Sequence, residues 1–163
     1  MTSLEKARAL AIAVPAALLA GAYGSEIFGG LHPCEMCWWQ RYAHFAGLGL
    51  ALVSLLLRKA PDRGRSFVWL AALAILASGG IGAYHAGVEA EVFKGFTTCA
   101  SSGTAGLSSE DMLKEIMARP IVRCDEIQFS FLGISMAGWN AILSILAALS
   151  ILWLSLRRPR TRA

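Results

Sequence analysis

Four long stretches of this chain contain almost no charged side chains, and they constrain its fold more than any other feature. Residues 9–28 carry only Glu26, while residues 42–57, 66–88 and 127–156 carry no Asp, Glu, Lys or Arg. About 20 helical residues, at roughly 1.5 Å of rise each, cross a hydrocarbon core of about 30 Å. Because 56% of the 163 residues are hydrophobic and 16% are charged, the composition fits a soluble domain poorly and predicts a small membrane protein.

The stretches predict an all-α membrane protein, a four-transmembrane-helix antiparallel bundle in a single integral membrane domain over residues 1–163. The predicted spans are about 9–28, 38–57, 66–88 and 132–156, joined on one side by loops at about 29–37 and 89–131. The second stretch is long enough only if it begins at Trp38. That start places Trp39 and Arg41 at the membrane interface, where aromatic rings and a guanidinium are tolerated.

The first stretch has a second interpretation as a cleaved signal peptide. Lys6 and Arg8 precede the apolar run, and Ala20-Gly21-Ala22 resembles a small-residue cleavage site. The uncharged run is longer than the roughly 7 to 15 residues that are typical of a signal-peptide core, so the sequence favours a membrane span.

Basic residues at the span ends predict the orientation of the bundle. Ten of the fifteen Lys and Arg residues would lie on one side: Lys6, Arg8, Arg58, Lys59, Arg63, Arg65, Arg157, Arg158, Arg160 and Arg162. The positive-inside rule then puts both termini in the cytoplasm and all four cysteines outside. Because the net charge of +4 is modest and sits at span ends, nucleic-acid binding is not indicated.

The four cysteines fall in the two outer loops. Cys34 and Cys37 form a C-x-x-C motif at the end of the first loop, and Cys99 and Cys124 lie in the second loop with 24 residues between them. Thiols that face an oxidising compartment are expected to be paired. The tight C-x-x-C ring, and the depressed thiolate pKa that such motifs can have, suit thiol exchange better than structural cross-linking.

The second loop is also expected to carry a short amphipathic helix. Ser108 and Glu110 are typical of a helix start, and Pro120 marks its end. One face of this helix would hold Met112, Leu113, Ile116 and Met117. The helix would either lie in the outer membrane interface or pack on the bundle as an ordinary loop helix.

The position of Cys37 points to a lipid-soluble electron acceptor. Cys37 lies where the second span begins, so the helix N-terminus would stabilise its thiolate, and Arg41 follows four residues later on the same face. A thiolate at the membrane surface with an arginine one turn deeper can reach a quinone. Arg41 has an alternative role as an interfacial anchor, and His85, near the outer end of the third span, has one as a packing residue.

Three motifs together resemble the bacterial disulfide bond formation protein B (DsbB) family. They are PCEMCWWQRY at residues 33–42, YHAGVE at 84–89, ahead of Cys99, and FLGISMAGWN at 131–140, after Cys124. The resemblance extends from about residue 9 to residue 156. Four spans, two outer cysteine pairs in this order and an arginine four residues after the second cysteine form a specific combination, whereas a lone C-x-x-C would be a weak signal.

The resemblance implies an inner-membrane quinone reductase that reoxidises a periplasmic thioredoxin-fold dithiol oxidase, DsbA. Carried over by position, Cys99 would form the mixed disulfide with this partner, and Cys124 would be its pairing cysteine. Cys34 and Cys37 would reoxidise that pair, with Cys37 next to the quinone. Arg41 would bind and polarise the quinone, either ubiquinone or menaquinone, and His85 is a further candidate for quinone binding. No metal is implied.

Three other functions compete with this one. Four thiolates could bind a metal, although a closed zinc site more usually has two short C-x-x-C motifs. Structural disulfides could simply staple the loops of a membrane protein. A four-span relative of vitamin K epoxide reductase would also couple loop cysteines to a quinone, but that family places its C-x-x-C late in the chain, whereas here it comes first.

Overall fold

A computed structural model describes residues 2–94 and 122–157. Its long elements are the helices α1 Ser3–Gly29, α2 Glu35–Leu56, α3 Arg65–Glu89 and α4 Met136–Leu156. A single 3-10 turn, Leu57–Lys59, follows α2, and two short strands, β1 Ser130–Phe131 and β2 Ile134–Ser135, precede α4. The mostly helical architecture confirms the expected all-α class, apart from this small hairpin.

The four helices pack as a ring in which each is antiparallel to the next. α3 packs chiefly against α2 and α4, α1 packs against α2 and α4, and contacts between α1 and α3 are few. The beginning of α1 and the end of α4 meet at one end of the ring, where the Ser3 hydroxyl donates to the Arg157 carbonyl. At the same end the buried Arg8 donates to the Ser54 hydroxyl and to the Arg63 carbonyl, at 3.0 and 2.6 Å. The opposite end holds the beginnings of α2 and α4.

Within residues 2–94 and 122–157, three helices are long and apolar enough to cross a membrane: α1, α3 and α4. α2 has 22 residues, a comparable length, but it carries Gln40, Arg41 and His44, which are all buried. These polar side chains lower its mean hydropathy. They face neighbouring helices, and an intramembrane polar group needs such partners because lipid offers none.

The fourth helix begins later than the predicted span, which started at residue 132. Leu132 and Gly133 both have positive φ, 53° and 77°, and form the turn between β1 and β2. Ser135 then caps the helix, because its hydroxyl accepts a hydrogen bond from the Gly138 backbone nitrogen. The uncharged run therefore begins several residues before the helix does. Hydropathy does not detect the left-handed turn that separates the two.

Small residues let α3 approach α4 closely, as expected in lipid. A methyl group added at Gly82 would lie 3.0 Å from the Ala137 carbonyl oxygen and 3.1 Å from the Ala141 backbone nitrogen. At the neighbouring Gly80, by contrast, an added methyl group would meet nothing within 4 Å. The two glycines therefore differ in function although both belong to the same apolar helix.

We expect Gly82→Ala to destabilise the bundle and Gly80→Ala to leave it unchanged or slightly more stable. Overpacking against backbone atoms costs about 1–3 kcal/mol, whereas alanine in an open helical position gains up to about 1 kcal/mol over glycine. The thermal midpoint of each variant in detergent measures the difference. Equal midpoints for the two variants would show that α3 and α4 can separate at no cost.

The amphipathic helix predicted around residues 108–120 lies outside the described residues, and so does Cys99.

Candidate functional site

The C-x-x-C motif forms the first turn of α2. Cys34 is the N-cap residue, and its sulfur accepts a hydrogen bond from the Cys37 backbone nitrogen at 3.3 Å. The two Sγ atoms lie 2.9 Å apart. The helix N-terminus was predicted to act on Cys37, but its capping hydrogen bond goes to the sulfur of Cys34.

Hydrogen bonding separates the acidities of the two thiols. A hydrogen bond with the Cys124 side chain, together with the bond to Cys37, raises the pKa of Cys34 far above its usual range. The hydrogen bond with Cys34 in turn lowers the pKa of Cys37, which lies just ahead of the predicted span that begins at Trp38. Cys34 is therefore the hydrogen-bond donor of the pair, and Cys37 is the more acidic of the two thiols.

We expect reduced Cys37 to react with iodoacetamide at a pH below the pKa of about 8.5 of an ordinary thiol. Because the Cys34 hydrogen bond sustains the thiolate, Cys34→Ala raises the midpoint of the rate–pH curve, whereas Cys34→Ser, which keeps a hydroxyl donor, raises it less. Peptide mass spectrometry reads the modification at Cys37 alone. An identical midpoint in the wild type and in Cys34→Ala would contradict this account of the lowered pKa.

The second loop brings another sulfur to the same place. Cys124 is 4% exposed and packs in a buried cluster with Cys34, Met36 and Val88. Cys34 thus contacts one cysteine of each predicted pair, Cys37 by its Sγ and Cys124 by a side-chain hydrogen bond. The sequence did not reveal this contact, because 89 intervening residues separate Cys34 from Cys124 and nothing local fixes the path of the loop.

Arg41 is buried and paired, not exposed at the membrane surface. It donates to the Glu26 carboxylate at 2.6 Å and to the Ala22 carbonyl at 3.2 Å, and it is only 6% exposed. Its guanidinium carbon lies 4.6 Å from the ring centre of Tyr23 and 5.1 Å from that of Trp38. Glu26 was noted in the sequence as the only charge of the first stretch, but its partner on α2 could not be inferred.

His85 lies beside Cys34. Its Nε2 is 3.7 Å from the Cys34 sulfur and 3.8 Å from a Glu89 carboxylate oxygen, and its Nδ1 is 3.1 Å from Gln40 Nε2. Glu89 in turn accepts a hydrogen bond from the Ser135 hydroxyl, which ties α3 to the start of α4. The sequence prediction placed His85 among the quinone-binding residues, and the structure places it next to the C-x-x-C motif.

A chain of amide side chains continues from His85 into the bundle. Asn140 donates to Gln40 Oε1 at 2.7 Å and to the Ser78 carbonyl at 3.2 Å, while its Oδ1 lies 2.8 Å from His44 Nε2. Sequence reasoning missed Gln40, His44 and Asn140. Polar groups inside uncharged stretches were the available signal, because such groups in membranes are commonly functional.

A cavity of about 250 Å³ opens beside these groups. Its wall includes Cys37, Arg41, His44 and His85 on the polar side, and Ala17 with its neighbours in α1 on the apolar side. Cavities of roughly 150 Å³ hold a benzene molecule, so one aromatic ring fits here. An apolar wall with a few convergent polar groups is typical of a site for a small organic ligand.

Comparison with known proteins decides the family. The profile described as "Disulfide bond formation protein DsbB" matches residues 5–154. The chain belongs to the DsbB family. Membership in the DsbB family supports a role in disulfide bond formation, and more generally a disulfide oxidoreductase activity in a membrane.

Individual relatives agree with this assignment. Disulfide bond formation protein B of Marinobacter nauticus is 32% identical over 161 residues, covering 94% of this chain and 92% of that protein. Disulfide bond formation protein B of an Azoarcus species is 32% identical over 142 residues, covering 85% and 84%. A Rickettsia prowazekii protein, named only as uncharacterized, is 27% identical over 129 residues, covering 78% and 73%. No solved structure matches the chain.

Proposed function

We propose that this DsbB-family protein is a thiol:quinone oxidoreductase of the bacterial inner membrane that reoxidises a periplasmic DsbA-type dithiol oxidase. The observation that carries the proposal is the position of Cys34 between Cys37 and Cys124. A sulfur in contact with a cysteine from each pair can pass electrons from one pair to the other by thiol–disulfide exchange.

The proposed route conserves electrons at every exchange. One thiol of the partner attacks the sulfur of Cys99 and forms a mixed disulfide, which releases Cys124. The partner's second thiol then completes the partner's disulfide and leaves Cys99 and Cys124 as two thiols. These thiols reduce the Cys34–Cys37 disulfide to a dithiol, with Cys124 and Cys34 as the sulfurs in contact. Cys34 and Cys37 then re-form their disulfide and release two electrons and two protons. A bound quinone supplies the two-electron, two-proton acceptor.

The described residues fit a quinone. The cavity accommodates one ring, the sulfur of Cys37 borders it, and Arg41 lines it with a guanidinium suited to a carbonyl oxygen. Arg41 is held in place by Glu26 and by two aromatic rings, so it enters the site already oriented. His85 directs its Nε2 towards Cys34 and would stabilise the charge on that sulfur during exchange. A direct contact of His85 with the quinone remains a prediction.

The proposed topology has four spans, with both termini in the cytoplasm and all cysteines in the periplasm. α2 is the remaining span, because its polar side chains face other helices and not lipid. Ser3 and Arg157 lie at one end of the bundle with Arg58, Lys59 and Arg63, and Cys34, Cys37 and Cys124 lie at the other end. That distribution supports the orientation given by the positive-inside rule.

A turnover assay tests the proposal. The purified protein in detergent is mixed with a reduced DsbA-type oxidase and a soluble quinone whose absorbance reports reduction. We expect one quinone lost for each partner dithiol oxidised, and no loss with Cys99→Ser. Absence of quinone loss from folded protein, with several partners and with both ubiquinone and menaquinone analogues, would overturn the proposal.

One observation favours a thiolate metal site as the second candidate. Ligand atoms of Cys34, Cys37 and His85 lie within 4.8 Å of one another. A closed zinc site takes four ligands, and the described residues bring three together here. Metal binding at His85 Nε2 would also move the ring proton to Nδ1, which faces the donor amide of Gln40. Equimolar zinc in purified protein would nevertheless favour the metal site.

A further inference from the structure

His44 lies in the wall of the cavity without a role in the proposed electron path. It is 3% exposed and follows Cys37 and Arg41 along the same face of α2, at spacings of seven and three residues. Its Nδ1 is buried and has no hydrogen-bond partner among residues 2–94 and 122–157. A buried polar atom without a partner is costly, which indicates that a ligand supplies the partner.

Two backbone carbonyls fix the tautomer of His44. The Ser78 carbonyl accepts from the Asn140 amide nitrogen, so Asn140 must turn its oxygen towards His44. The Gln40 amide nitrogen donates to the Met36 carbonyl, which leaves Gln40 Oε1 to accept from Asn140. His44 Nε2 therefore carries the ring proton and donates it to Asn140, and Nδ1 presents a lone pair.

A lone pair distinguishes the two redox forms of a quinone. Quinone carbonyl oxygens only accept hydrogen bonds, whereas the hydroxyl groups of the reduced form, the quinol, donate them. We propose that His44, oriented by Asn140, is the residue that binds the quinol hydroxyl in this cavity. This inference rests on the proposed quinone site. The hydrogen bond to His44 makes the site bind the quinol, which is the product, more tightly than the quinone, which is the substrate. Electron transfer from Cys34 and Cys37 to the quinone is therefore favoured.

Matched substitutions separate the two ring nitrogens. His44→Gln places an amide where Nε2 lies, keeps the hydrogen bond to Asn140 and removes the Nδ1 acceptor. His44→Asn places an amide near the Nδ1 position and keeps an acceptor for the ligand. Dissociation constants of a short-chain ubiquinone and of its quinol are measured anaerobically by calorimetry. The protein is used with its cysteines oxidised, so that no thiol reduces the quinone.

We expect His44→Gln to weaken quinol binding about tenfold and quinone binding less than about twofold, as for the loss of one hydrogen bond. His44→Asn should retain most of the quinol affinity. Equal losses for both forms in His44→Gln would reduce His44 to a packing residue and overturn the inference. If the wild type binds neither form, the proposed quinone site itself fails.

A measurement on the wild type makes the test independent of variant folding. In protein labelled with ¹⁵N-histidine, the Nδ1 resonance of His44 should move when the quinol is added and stay in place when the quinone is added. The Nε2 resonance should remain that of a protonated nitrogen. A resonance that responds equally to both forms would overturn the inference.

Discussion

Replacing Cys37 with serine is expected to abolish steady-state quinone reduction while leaving the second-loop cysteines able to react once with the reduced partner. Cys37 is the more acidic thiol of the motif, because its hydrogen bond with Cys34 lowers its pKa, and it borders the cavity. Serine keeps the size of the side chain but has no thiolate at neutral pH. Stopped-flow mixing with reduced partner should show one equivalent of partner oxidised and no turnover.

Cys99→Ser is the matched control for this experiment, because it should remove the single reaction as well as turnover. Together, the two variants assign Cys99 to the reaction with the partner and Cys37 to the reaction with the quinone. Full turnover by Cys37→Ser would show that electrons leave the protein through another sulfur.

Replacing Arg41 with alanine is expected to raise the KM for quinone by roughly 10- to 100-fold, as for the loss of charge-assisted hydrogen bonds. Arg41 is buried, oriented by Tyr23 and Trp38, and lines the cavity next to Cys37. Arg58→Ala removes an exposed arginine at the other end of α2 and should leave KM unchanged. Unchanged KM and kcat in Arg41→Ala would return Arg41 to the role of an anchor.

The ion pair with Glu26 complicates the single substitution, since Arg41→Ala leaves a carboxylate without its partner. The double variant Arg41→Ala/Glu26→Gln removes that charge. If the higher KM reflects a lost contact with the quinone, the double variant has the same high KM as Arg41→Ala. Recovery of a wild-type KM in the double variant would instead attribute the effect to the unpaired Glu26.

Local patterns were sufficient to predict the helices. Uncharged runs located the apolar helices, because a membrane span must satisfy its backbone internally over a fixed length. Spacing alone placed Arg41 one turn after Cys37. The pairing of Arg41 with Glu26, and the contact of Cys34 with Cys124, depend on how helices and loops pack, which no local pattern encodes.

Errors in the sequence interpretation have similar physical origins. The hairpin before α4 depends on two residues with positive φ, so an apolar composition concealed it. Gln40, His44 and Asn140 received no role because the uncharged stretches were interpreted by their length and apolar character, and not by the polar side chains within them. Their significance comes from the carbonyls of Met36 and Ser78, which orient the whole chain of side chains.

The position of Asn140 also bears on how the protein is made. The partners of its amide nitrogen lie on α2 and α3, and Asn140 itself belongs to α4, which is synthesised after both of them. Hydrocarbon offers no substitute for these hydrogen bonds, so the polar side chains of α2 stay incompletely satisfied in a nascent chain that ends before residue 140. In the proposed four-span topology, we therefore expect α4 to stabilise α2 late in assembly, because α4 completes these hydrogen bonds.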